Sequence, residues 1–126
     1  MPNDAQKAVI LAVDDAPENL DVVRNLLAPR FTVKAATNGM VALKIAGKQP
    51  PDLILLDIQM PGMDGYEVCR QLKADPATAA IPVVFLTGES GVDAEVAAAG
   101  GCGYTTKPVD PATLLQLIDQ HLGGAE

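Results

Sequence analysis

With 126 residues, 48% of them hydrophobic, the chain is long enough for one compact domain with its own core and too short for a second. Sixteen acidic against nine basic residues, a net charge of -7, exclude the electrostatic footprint of a nucleic-acid binder or of a protein held on an anionic membrane, and leave proteins and cations as partners. Cys69 and Cys102 follow no metal-ligand spacing, and the early apolar run at 8–13 is too short for a signal core or a membrane span, so a reducing, cytoplasmic compartment is expected.

Residues 1–7 are polar and read as a loose tail, which makes about 8–122 the ordered core. Residues 8–13 are apolar throughout, as in a strand buried on both faces of a parallel sheet, and Asp14 and Asp15 follow at its C-terminal end. Pro17 opens a helix in which Leu20, Val23 and Leu27 recur at helical spacing until Pro29 ends the pattern. Phe31, Val33 and Ala35 alternate with Thr32 and Lys34, the period of a half-buried edge strand. Asn38 caps a second helix with Val41 and Ile45 as its apolar stripe, stopped by Gly47 and the Pro50-Pro51 pair.

The run Leu53-Ile-Leu-Leu-Asp57 is a third, buried strand, and Pro61, Gly62 and Gly65 mark the loop after it. A third helix follows over 65–74, with Val68 and Leu72 on one face and Asp75-Pro76 at its exit. Residues 82–87 form a fourth apolar strand ending on Thr87. Glycines at 88, 91, 100, 101 and 103 leave only 93–99 as helix material, and that helix is expected to be short and weak. A mixed fifth strand runs over 103–107, and a last helix opens at Asp110 and Pro111 with Leu114, Leu117, Ile118 and Leu122 as its buried stripe.

Five strands alternating with five helices predict an α/β fold, a doubly wound parallel sheet of flavodoxin-like topology with helices on both faces. The continuously apolar first, third and fourth strands belong in the centre and the mixed second and fifth at the edges, giving the order 2-1-3-4-5. In that order Asp14, Asp15 and Asp57 converge at the switch point, where open sheets bind ligands. Three carboxylates that close call for a compensating cation, and hard oxygen donors without His or Cys favour Mg²⁺. Thr87 adds a hydroxyl and Lys107 a point charge suited to a phosphoryl group, so the set reads as phosphoryl-transfer machinery in which a carboxylate can be the nucleophile.

Val13-Asp14-Asp15, Leu56-Asp57 with Met60-Pro61-Gly62-Met63-Asp64-Gly65, Thr87-Gly88, and Tyr104-Thr-Thr-Lys107-Pro108 together resemble the receiver domain of two-component response regulators, over roughly residues 8–122. The resemblance implies that Asp57 accepts a phosphoryl group from a phosphohistidine on a sensor histidine kinase or phosphotransfer protein. It further implies direct Mg²⁺ ligation by Asp15 and Asp57, with Asp14 acting through water and Gln59 lending its backbone carbonyl. Lys107 would contact the phosphoryl oxygens, Thr87 would hydrogen-bond to them, and Tyr104 would turn inward as Thr87 moves. Partners would then meet the surface of the fourth helix, fifth strand and fifth helix, and Pro108 would follow a cis peptide bond.

The chain departs from the family pattern in a shortened, glycine-rich stretch between Thr87 and Tyr104, in Thr105 and Thr106 before the lysine, and in Cys102-Gly103. Gln59 and Glu89 flank the expected acceptor and would tune water access to it, and His121 sits where it would meet a helix dipole. Four alternatives stay open. The chain is a receiver excised from a hybrid kinase or a cyclic-di-GMP-turnover regulator; it is an aspartyl-nucleophile phosphatase, for which Gln59 stands where a second carboxylate is needed; it is an FMN-binding domain; or it is a receiver that binds partners without phosphorylation. The downstream target, and whether phosphorylation drives a homodimer, are not written in the motifs.

Overall fold

Strand and helix alternate from one end of the chain to the other: β1 (Val9–Val13), α1 (Pro17–Leu27), β2 (Thr32–Ala36), α2 (Gly39–Lys48), β3 (Leu53–Asp57), α3 (Gly65–Ala74), β4 (Val83–Thr87), α4 (Asp93–Ala99), β5 (Gly103–Thr106) and α5 (Pro111–His121). The computed structural model describes residues 8–88, 91–107 and 109–122. All four strand pairings are parallel, in the order β2-β1-β3-β4-β5. This is the flavodoxin-like, doubly wound sheet expected from the apolar runs. Among the described residues no helix is long and apolar enough to cross a membrane.

The period of two along each strand divides the core into two layers. Leu11, Val13, Ile54, Leu56, Val83 and Phe85 pack with Ala42 and Ala46 of α2, Val68, Cys69 and Leu72 of α3, and Val96 and Ala99 of α4. Ile10, Ala12, Leu53, Leu55, Val84 and Leu86 pack with Leu20, Val23 and Leu27 of α1 and Leu114 and Ile118 of α5. Every residue of β3 and β4 is buried, because helices cover both of their faces. The edge strand β2 reaches full burial only at Ala36.

Two expectations for α2 need correction. Its buried face is Gly39, Ala42 and Ala46, while Val41 is 38% exposed and Ile45 only half-buried. Small residues win that face because α2 lies close on α3: a Cβ at Gly39 would sit 2.7 Å from Val68 Cγ2. Gly47 does not stop the helix either, since α2 runs on to Lys48. Nothing lies within 4 Å of where a Cβ would go at Gly47. Gly47→Ala should therefore stabilise the protein by about 0.5–1 kcal/mol through the lower entropy of its unfolded chain, read as a higher denaturant midpoint at unchanged slope.

The remaining helix starts follow simple rules. Asn38, Asp64 and Asp110 accept hydrogen bonds from the amides of Val41, Glu67 and Thr113, satisfying amides that no helix turn reaches. α1 and α5 begin with proline, whose missing N–H costs nothing at that position. α4 has the seven residues expected, and its N-cap, Val92, provides no side-chain cap.

Candidate functional site at the carboxyl edge of the sheet

Register brings the site together. Val13 pairs with Leu56, so the next residues, Asp14 and Asp57, leave neighbouring strands side by side. Thr87 pairs with Thr106, and the Lys107 N–H donates to the Thr87 carbonyl at 2.7 Å, which fixes the lysine backbone one residue past the sheet. A hydrogen bond from Gly65 N–H to the Ile58 carbonyl, at 2.9 Å, folds the loop after β3 back over the strand end.

Asp14, Asp57 and Thr87 are buried at 3%, 4% and 1% exposure, whereas Asp15 faces solvent. The Lys107 ammonium bridges the inner pair: Nζ lies 3.0 Å from Asp14 Oδ2 and 3.2 Å from Asp57 Oδ1. Asp14 also accepts from the Ala16 amide at 2.9 Å, and the Asn19 side-chain amide spans both of its oxygens at 3.4 and 3.3 Å. The Gln59 amide donates to Asp57 Oδ1 at 3.4 Å. Lys107 is thus no mobile surface charge but the internal counter-ion of two buried carboxylates.

Burial raises the Asp57 pKa above the usual carboxylate value, the negative Asp14 adds to the rise, and the Lys107 charge and hydrogen bond only partly offset them. Burial would lower the Lys107 pKa, but its hydrogen bond to Asp14 and the charges of Asp57 and Asp14 prevail and raise it. The two shifts act oppositely on stability. Lys107 stabilises the fold until pH rises through its elevated pKa. A raised aspartate contributes stability below its unfolded pKa, near 3.8, and loses it as pH rises through the folded value. Ionised Asp57 is therefore a liability to the fold at neutral pH. In metal-free buffer at pH 7, Asp57→Asn should melt above the wild type, and the gap should narrow as pH falls toward 3.8.

Asp14, Asp15 and Asp57 each offer a carboxylate oxygen, and the three oxygens lie within 4.8 Å of one another. An all-oxygen set of that size, open on the Asp15 side, fits a hard divalent ion such as Mg²⁺. Beside it, Asp14, Asn19, Val22, Val23, Leu86, Lys107 and Val109 line a cavity of about 170 Å³.

The site residues expected from sequence all come to this edge except Tyr104. That residue sits further down β5, opposite Phe85, with its hydroxyl 3.2 Å from Asp93 Oδ1 at the start of α4. Glu89 and Pro108 lie outside the described residues. Asn19 went unrecognised in the sequence, because an amide in the first turn of a helix is an ordinary surface residue until the fold places it over Asp14.

The response regulator receiver domain model matches residues 10–119. Over 121 residues the chain is 44% identical to a Vibrio cholerae protein named "Probable cyclic di-GMP phosphodiesterase", covering 94% of this chain and 27% of that protein. The chain thus spans about a quarter of that relative's length. It is 38% identical over 120 residues to protein PilH of Pseudomonas aeruginosa, covering 93% of this chain and 99% of PilH. Among solved structures, the receiver domain of sensor histidine kinase PA1611 from Pseudomonas aeruginosa PAO1, which holds a magnesium ion in its active site cleft, superposes with a TM-score of 0.86. That match is at 29% identity and covers 94% of this chain and 99% of that one. The chain belongs to the response regulator receiver domain family of two-component systems.

Proposed function

We propose that Asp57 accepts a phosphoryl group from the phosphohistidine of a sensor histidine kinase or phosphotransfer protein, and that the modification changes the surface formed by α4, β5 and α5. One observation carries this reading: a buried carboxylate at a strand end, 3.2 Å from an ammonium and within 4.8 Å of two further carboxylates. A buried carboxylate cluster this costly to assemble is characteristic of a functional site.

In the step itself an Asp57 oxygen forms a bond to phosphorus as the phosphorus–nitrogen bond to the donor imidazole breaks, and the electron pair of that bond stays with the ring nitrogen. Lys107, 3.2 Å from Asp57, would supply fixed positive charge beside the negative oxygens of the transferred group. Asp14 and the Thr87 carbonyl hold the lysine there by side chain and by backbone. The Thr87 hydroxyl would hydrogen-bond to the arriving group. Mg²⁺, held by Asp14, Asp15, Asp57 and the Gln59 carbonyl, would neutralise charge on that group when bound. A phosphoryl group adds about -1.5 to -2 charge, so Lys107 and Thr87 would be drawn to it, and Tyr104 would turn inward behind Thr87.

The test is intact-mass spectrometry after incubation with Mg²⁺ and acetyl phosphate. One added phosphoryl mass, absent from Asp57→Asn and from a chelated sample, is the expected result. No adduct on the wild type, under conditions that label another receiver, would overturn the reading.

A further inference from the structure

Tyr104 is half-buried on β5, packed against the core layer that carries α2, α3 and α4, and its hydroxyl meets the start of α4. There it donates to Asp93 Oδ1 at 3.2 Å and accepts from the Gly91 N–H at 3.1 Å. α4 has reason to depend on these bonds. A helix of seven residues is too short to hold itself, and Val92 at its N-cap has no side chain to satisfy the first amides. Gly91 has a φ of 77°, a conformation that glycine adopts without strain, and its N–H is the one that meets the hydroxyl. One phenol therefore ties β5 to a connection that leaves the sheet at Thr87, four residues before Gly91.

We infer that Asp93 is a positioning residue for the switch: with the Gly91 amide it latches the Tyr104 hydroxyl at the start of α4 and sets the resting state that modification of Asp57 must overcome. The inference rests on the proposed phosphorylation switch. In the switch proposed above, turning the Tyr104 ring toward Thr87 would break both hydrogen bonds, so their combined strength would favour the resting conformer and weaken binding of any ligand that selects the other. Asp93 is exposed, which keeps its bond at the modest end for a charged acceptor. Its loss should shift the equilibrium about three- to tenfold.

The experiment uses the whole chain with ¹³C-labelled tyrosine and beryllofluoride plus Mg²⁺ as the phosphoryl mimic. Tyr66 and Tyr104 are the only tyrosines, so the signals that vanish in Tyr104→Phe assign the Tyr104 ring. Asp93→Ala should move the Tyr104 ring signals of the free protein toward their beryllofluoride-bound position and tighten apparent beryllofluoride affinity about three- to tenfold. Asp93→Asn keeps an oxygen acceptor and should restore wild-type signals and affinity, which a merely structural role for the side chain would not require. Tyr104→Phe removes the hydroxyl from both bonds and should tighten affinity at least as much as Asp93→Ala does, which keeps the test intact if one variant folds poorly. Wild-type affinity in Asp93→Ala and Tyr104→Phe, with a wild type that binds the mimic, would overturn the latch alone. A wild type that does not bind beryllofluoride would overturn the switch and the latch together.

Discussion

Lys107→Met should lower the rate at which acetyl phosphate labels Asp57 by about a hundredfold or more, the usual cost of removing one fixed electrostatic contact to a transition state. Two effects combine. The transferred oxygens lose an ammonium held 3.2 Å from Asp57 Oδ1. Asp57 also loses the main influence opposing its raised pKa, since burial and the Asp14 charge then act unbalanced. That change disfavours the ionised carboxylate, which is the nucleophilic form. The variant should also shift to lower denaturant midpoints, because two buried carboxylates then face each other without a counter-ion. Initial labelling rates by mass spectrometry, at matched Mg²⁺, provide the check. A rate within threefold of wild type would remove Lys107 from the chemistry.

Gly65→Ala should destabilise the protein by about 3 kcal/mol, at the upper end of what overpacking costs. A Cβ at Gly65 would stand 2.3 Å from the Asp57 carbonyl oxygen and 2.8 Å from Ile58 Cα. Both are backbone atoms, at the strand end and just past it, so no side chain can swing away to make room. The Gly65 N–H bond to Ile58 and the Asp64 cap on Glu67 lock the first turn of α3 in that place. Either α3 lifts or the end of β3 shifts, and a shift of about 1 Å at the acceptor is worth roughly a hundredfold in rate. Equilibrium unfolding should thus show the loss of stability, and labelling should fall in protein that is still folded. A tolerated Gly65→Ala, with stability and labelling near wild type, would mean the loop carries slack that its contacts deny.

Much of the site was readable in the sequence because three of its residues end apolar runs. Asp14, Asp57 and Thr87 are the first polar groups after strands buried on both faces, and a parallel sheet collects such ends along one edge. Strand order was readable for the same reason, since burial on both faces leaves no polar alternation. The face of α2 was misread because periodicity draws attention to large residues, Val41 and Ile45, whereas close helix packing selects glycine and alanine. The grip of Lys107 on Asp14 joins residues 93 positions apart, and no local pattern announces it. Asp93 read as ordinary helix material, and only the turn at Gly91 places its carboxylate against Tyr104.

Locating the phosphoryl group tests the central claim most directly. Protein treated with Mg²⁺ and acetyl phosphate, reduced with borohydride to convert an acyl phosphate to its alcohol, and mapped by tandem mass spectrometry should carry homoserine at position 57 and aspartate unchanged at Asp14 and Asp15. Homoserine at Asp14 or Asp15, or none anywhere on protein that has gained a phosphoryl mass, would contradict Asp57 as the acceptor.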